Sequence, residues 1–409
     1  MASRGGAQAI RHCLISISIS YFNISAKLTT PLCCLLHPQP DTAGRCVPSG
    51  EMFVDWKRYR NWLIGGLIVI GLLAIMIYNQ VDWRACLEAE AEGILPSCIA
   101  RNTASWYNRY GVVMRQAAIS GLLIGGVYGL VALGLTLIFG VLEIINFAHG
   151  ALMSIGLYLS FVLFDSYGID PYLGMAITIP ALFLLGLVAY RVIIHPARDA
   201  PHHNQLLLTL GLTLLIENAL LLGFTGTPRS IRLDYGRGET DIFGLFTVDF
   251  PIRLFGTVIQ FGQLMAFIGA LVLTSILYYL LQRTDLGRAI RATAQDREGA
   301  ALVGINIDWI NMVTFGIGTA CVGAAAALVL PFFRAEPTAG NLFNITAFVI
   351  VVLGGMGNVL GALLGGLIIG LTQELSIIFF PGSSKLIGAF VIFILVLLFR
   401  PQGLLGRTT

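Results

Sequence analysis

The chain has 409 residues, of which 56% are hydrophobic and only 11% charged. Soluble domains carry about 25% charged residues, so a water-soluble globule of this size is excluded: its apolar side chains would outrun any polar coat. The net charge of +3 arises from basic residues scattered between apolar runs, which excludes a nucleic-acid binder built on a basic patch.

In lipid, every backbone N–H and C=O must be satisfied within the protein, and helices do this segment by segment. The composition therefore predicts an all-α, polytopic transmembrane helix bundle of about nine spans, including interrupted helices. The 47 glycines agree, because small residues let helix backbones approach closely in membranes.

In chain order, residues 1–51 differ from the rest. They contain Ser, Pro and Cys13, Cys33, Cys34 and Cys46, with no run long enough to span. They are expected to be a leader, untranslated or disordered, with Met52 as the biological start. Residues 52–110 then read as an N-terminal anchor and an external loop. Lys57, Arg58 and Arg60 precede the apolar run Trp62 to Tyr78, which is at the short end of the roughly 17–25 residues a span needs. An uncleaved anchor is expected; a cleaved signal peptide is the alternative. Cys86 and Cys98 share the polar loop and can form a disulfide if it lies outside the cytoplasm; two free thiols are the other reading.

Residues 111–409 hold the main transmembrane domain. Its apolar runs are Val112 to Phe139, Ala151 to Phe164, Tyr172 to Ile194, Leu206 to Phe224, Val258 to Leu281, Ile310 to Phe333, Phe343 to Leu353, Val359 to Phe379 and Leu386 to Phe399. Ala151 to Phe164 and Phe343 to Leu353 are short for a span. Either they are interrupted helices beside a cavity, where irregular backbone is tolerated, or their boundaries are a few residues off. The compact, arginine-dense loop Arg283 to Arg297 sets the orientation: the positive-inside rule places it in the cytoplasm, with both chain ends inside and the Cys86/Cys98 loop outside.

That loop reads RTDLGRAIRATAQDREGAALVGINIDW. From Leu286 to Val303 it has good helix formers and few breakers. Arg288, Arg291, Asp296, Arg297 and Glu298 supply charge, and Gly304 follows. A short charged helix at the inner face is suited to docking on a soluble partner and moving with it; an ordinary solvated loop is the alternative. No P-loop that could cradle nucleotide phosphates occurs in the chain, and no cysteines show metal-ligand spacing backed by histidines. No metal, cofactor or catalytic residue is expected.

Several polar groups interrupt apolar runs, where they are costly and point to function. Asn146 and His149 lie at a glycine-flanked break. They are expected to pin the break by hydrogen bonds, to line a pathway, or to sit solvated in an interfacial turn. Glu217 and Asn218 lie well inside their run, and Gln373 and Glu374 approach a helix end; both pairs are pathway or helix-to-helix candidates, with a misplaced helix boundary as the third reading, weightier for Gln373 and Glu374. Gly121, Gly125 and Gly129, and again Gly361, Gly365, Gly366 and Gly370, recur at spacings that mark tight helix crossings. Gly354, Gly355 and Gly357 around Met356 allow a non-helical break.

Four segments resemble the branched-chain amino-acid ABC transporter permease family, LivH type. They are GVYGLVALGLTLIFGVLEIINFAHGALMSIGLY from Gly126 to Tyr158, LGRAIRATAQDREGAALVGIN from Leu286 to Asn306, TAFVIVVLGGMGNVLGALLGGLIIG from Thr346 to Gly370, and FRPQGLLG from Phe399 to Gly406. They occur in family order across about residues 112 to 407. The resemblance implies a non-enzymatic, pore-forming subunit in the bacterial inner membrane that translocates Leu, Ile or Val. It also implies partners: two ABC ATPase subunits, a second paralogous permease and a periplasmic substrate-binding protein, with no nucleic acid. The Leu286 to Asn306 segment would contact the ATPase. A permease for urea, short amides or other amino acids is an alternative, and an ATPase-independent secondary transporter is another. The chain departs from the family in its leader and anchor, in Glu143, and in the position of Gln373 and Glu374.

Overall fold

The computed structural model describes residues 95–198, 200–231, 233, 238–242, 246–250, 252–254, 257–379 and 385–405. The leader, the Trp62 to Tyr78 run and Cys86 lie outside the described residues; of Cys98 only the helical backbone is described. The disulfide expectation therefore also lies outside them.

The described chain is almost entirely helical. It runs α1 (Leu95–Leu142), α2 (Ala148–Tyr167), α3 (Pro171–Ala189), α4 (His202–Phe224), α5 (Phe261–Arg283), α6 (Asp285–Gln295), α7 (Arg297–Leu302), α8 (Ile307–Val329), α9 (Ala339–Gly354), α10 (Val359–Phe379) and α11 (Lys385–Phe399). Two short antiparallel hairpins, Gly238–Ile242 with Phe246–Phe250 and Ile252–Leu254 with Thr257–Ile259, fill the loop between α4 and α5. Among the described residues, seven helices are long and apolar enough to cross a membrane: α1 from Gly111, α2, α3 extended to Ala197, α4, α5, α8 and α10. Two further apolar helices, α9 and α11, are shorter. The protein is a multi-pass membrane protein.

Three boundaries differ from the sequence expectation. α1 begins at Leu95, inside the segment read as external loop, because helix formers continue upstream of the apolar run. α2 reaches 20 residues, so the Ala151 to Phe164 run is the apolar middle of a longer helix that takes in polar residues at both ends. The connector is not one helix from Leu286 to Val303 but two, α6 and α7, separated at Asp296.

The core is laid down by α1, which packs against α8, α5, α9 and most extensively α10. The α1–α10 crossing is made by glycines. A Cβ on Gly125 would sit 2.9 Å from the Gly366 carbonyl oxygen, and one on Gly121 would sit 2.7 Å from that of Gly370. The two glycine rows read from the sequence therefore face each other, backbone on backbone, where dispersion contacts are densest.

The second break lies between α9 and α10. Gly354 is the last helical residue of α9, whereas Gly355 (φ 98) and Gly357 (φ 82) have left-handed backbones that residues with a Cβ rarely adopt. The final carbonyls of α9 are capped by the tail: Leu404 N–H donates to the Leu353 oxygen at 2.7 Å and Leu405 N–H to the Gly354 oxygen at 3.2 Å. Asn358 closes the arrangement. Its amide donates to the Leu405 oxygen at 2.9 Å and its oxygen accepts from Gly361 N–H at 3.1 Å. The GGMGN and FRPQGLLG segments thus form one unit.

Candidate functional site

The first break begins after Leu142, at Glu143, whose φ of 57 turns the chain back. The chain does not leave the protein there. His149 is fully buried, and its Nε2–H donates to the Val131 carbonyl at 3.1 Å, well before the end of α1. The stretch 143–147 therefore folds back alongside α1, where broken backbone survives only if protein groups satisfy it.

Those groups come from three places. Asn146 Oδ1 accepts from Ala148 N–H at 3.0 Å, capping the start of α2. Phe147 N–H donates to Thr209 Oγ1 on α4 at 3.3 Å. The Phe147 carbonyl accepts from Asn344 Nδ2 on α9 at 3.0 Å. The Asn146 Nδ2 and Asn344 Oδ1 atoms, both buried, remain without a protein partner among the described residues.

Both asparagines line a cavity of about 540 Å³ between the break, α4, α9 and α11. Most of its wall is apolar, including Leu135, Phe147, Leu210, Phe348 and Phe393. Its polar stations are Asn146, Thr213, Glu217, Asn341 and Asn344. The Glu217 carboxylate accepts from Asn341 Nδ2 at 2.7 Å, so a carboxylate inside an apolar helix has the partner its burial requires. The arrangement offers an apolar volume with a few polar side chains in its wall, suited to a small molecule with a polar head and an apolar body.

The connector is set by two caps. Thr284 Oγ1 accepts from Gly287 N–H at 3.1 Å and starts α6. Asp296, in extended backbone, accepts from Gly299 N–H at 3.0 Å and starts α7. Ile290 anchors α6 in the core, and Arg288 is ion-paired with Asp285. Arg291 faces a second cavity, beside α1 and α5, whereas Arg297 and Glu298 lie exposed on α7. The α7 tip leaves Leu302 89% and Val303 77% exposed, before Gly304 turns the chain with φ 87. At the entry to α8, Asp308 is paired with Arg198 and lies 3.6 Å from His195 Nε2. Asp296 thus acts as a helix cap. Asp296→Ala is expected to weaken α7 by about 1 kcal/mol, the usual value of an N-cap, read as faster hydrogen exchange at Gly299.

A family model described as branched-chain amino acid transport system / permease component matches residues 117–399. The high-affinity branched-chain amino acid transport system permease protein BraD of Pseudomonas aeruginosa is 34% identical over 71% of this chain and 95% of its own length. The chain belongs to this permease family. The LivH permease of the corresponding Escherichia coli high-affinity system is 32% identical over 71% of the chain and 95% of its own length. The LivM permease of Escherichia coli is 26% identical over 69% of the chain and 68% of its own length. No solved structure matches.

In this permease the predicted polar residues separate. Asn146 and Glu217 meet at the cavity. His149 lies outside its wall, fastened to α1. Asn218 is exposed and does not line the cavity; it donates to the Leu214 carbonyl of its own helix at 2.7 Å. Gln373 donates to Thr346 Oγ1 at 3.2 Å, tying α10 to α9, and Glu374 pairs with Lys385 at 2.9 Å, tying α10 to α11. Neither lines the cavity.

Asn341 and Asn344 join the site without having been among the sequence candidates: Asn341 precedes the apolar run Phe343 to Leu353, and Asn344 stands at its edge. Their spacing of one helical turn within AGNLFNITAF is the signal that marks them. Thr209 had no signal: a single threonine in an apolar helix commonly bonds its own i−4 carbonyl.

Proposed function

We propose that this chain is the pore-forming permease subunit of an ABC importer, translocating leucine, isoleucine and valine across the bacterial inner membrane. The observation that carries the reading is the largely apolar cavity of Asn146, Glu217, Asn341 and Asn344, built against an interrupted helix. An apolar side chain fits the wall. The ammonium and carboxylate of the amino acid find Glu217 and the asparagine side chains of the wall. The names of the BraD and LivH relatives support the substrate class.

The chain itself performs no chemistry in this reading. Two ATPase subunits hydrolyse ATP at the cytoplasmic face, where they grip the α6–α7 connector through Arg288, Arg297, Glu298 and the exposed α7 tip. A second, paralogous permease completes the membrane unit, as the likeness to LivM suggests, and a periplasmic binding protein delivers substrate. Uptake into proteoliposomes containing these partners tests the reading. ATP-dependent accumulation of leucine, isoleucine and valine in preference to urea and short amides is expected. Accumulation of urea instead, or flux without ATP, would assign the chain to another transport class.

A further inference from the structure

The transport reading does not use the second cavity. It measures about 590 Å³, within the range of roughly 300–1,000 Å³ typical of small-molecule sites. Its walls are the C-terminal ends of α1 and α5, the inner side of α6 and the turn between α9 and α10. It therefore lies under the connector, where both helix breaks come together: a Cβ on Gly140 would sit 3.0 Å from Gly357 Cα.

Two groups of opposite charge share this wall, Glu143 and Arg291. They make no ion pair with each other, and neither side chain forms a salt bridge elsewhere among the described residues. Gln282 and Gln295 add two side-chain amides, while Phe139 and Met356 belong to the apolar part. Glu143 sits in left-handed backbone, φ 57, where a β-carbon is strained and glycine or asparagine is the easier residue. Backbone held in this region clusters at ligand clamps and switch segments.

We propose that this cavity is a second binding site, for a free zwitterionic α-amino acid with an apolar side chain, entered from the connector's side of the membrane. Glu143 receives the ammonium and the Arg291 fork receives the carboxylate, as charge-assisted hydrogen bonds; the side chain lies on the apolar wall. The charge pattern selects a dipolar ligand: a simple cation is repelled by Arg291 and a simple anion by Glu143. The break 143–147 separates this site from the first cavity, since Glu143 lines one and residues 145–147 line the other. The choice of amino acid rests on the transport reading; the zwitterion chemistry rests on Glu143 and Arg291 alone.

The test is leucine binding to the purified full-length permease in nanodiscs, by equilibrium dialysis, with no partner subunit and no ATP, every protein carrying Glu217→Ala so that the first cavity has lost its carboxylate. Glu143→Gln and Arg291→Gln are each expected to weaken leucine binding about tenfold, the loss of one charge-assisted contact. The doubly exchanged variant, Glu143→Arg with Arg291→Glu, is expected to regain affinity to within about threefold of the original, because a zwitterion can reverse its direction. Leucinamide and isocaproate, each missing one charge, should compete poorly with the original protein. Equal leucine affinity in all four proteins, or no saturable binding in the original, overturns the proposal. Saturable binding with this variant pattern but no ATP-driven uptake would instead overturn the transport reading and leave the site standing.

Discussion

Replacing Gly366 with leucine is expected to leave no folded permease in the membrane. A Cβ there would stand 2.5 Å from both the Cα and the nitrogen of Gly129 and 2.8 Å from the Gly125 carbonyl oxygen. All three are backbone atoms, so no rotamer change relieves the overlap, and the α1–α10 crossing must open. Inserting even a methylene or two into a packed core costs about 1–3 kcal/mol. Here a whole isobutyl group meets main chain across the most extensive helix pair of the fold, and a loss well above about 3 kcal/mol is expected from that comparison. The matched control is Gly211→Leu, where nothing lies within 4 Å of the added carbon. Size-exclusion profiles of the two variants in detergent read the difference: aggregated or absent protein for Gly366→Leu, an unchanged monodisperse peak for Gly211→Leu. A monodisperse Gly366→Leu protein would show that the glycine rows do not hold the bundle.

The second large effect concerns the connector. The double change Leu302→Asp with Val303→Asp should preserve folding, because both side chains already stand in the open at the α7 tip. Association with the ATPase subunits should nevertheless fall by about a hundredfold or more. Burying an apolar side chain of this size is worth about 1.5–3 kcal/mol, and a carboxylate placed in the same pocket adds a desolvation cost. Co-purification of the tagged permease with the proposed ATPase subunits measures this directly. Undiminished co-purification, with normal uptake, would mean that the tip is not the surface the ATPase grips.

The glycine rows and the connector were both legible in the sequence, for a physical reason they share. Each is a local pattern: small residues repeating at helical spacing, or charges and helix formers crowded between two apolar runs. The same holds for the left-handed glycines at 355 and 357. The partners of the first break were not legible. Thr209 lies 62 residues from Phe147 and Asn344 lies 197 residues from it, and no local pattern links groups so far apart. The assignment of Asn218 beside Glu217 shows a related limit. α4 is apolar on nearly all sides, so its periodicity does not reveal which face turns inward; only the packing gives Glu217 a partner in Asn341 and leaves Asn218 exposed.

Composition and local spacing were enough to establish a helical, membrane-embedded protein with tight glycine crossings and a charged connector, because lipid leaves the backbone no other solution; that it is a permease rests on the likeness of its segments to the family. Only the tertiary structure decided which polar groups meet. It brought Asn146, Glu217, Asn341 and Asn344 to one cavity, put Glu143 and Arg291 in the wall of a second, and turned Gln373 and Glu374 into helix ties. Hydrogen bonds and charges act over a few ångströms, and which residues come that close depends on how the helices rotate and cross.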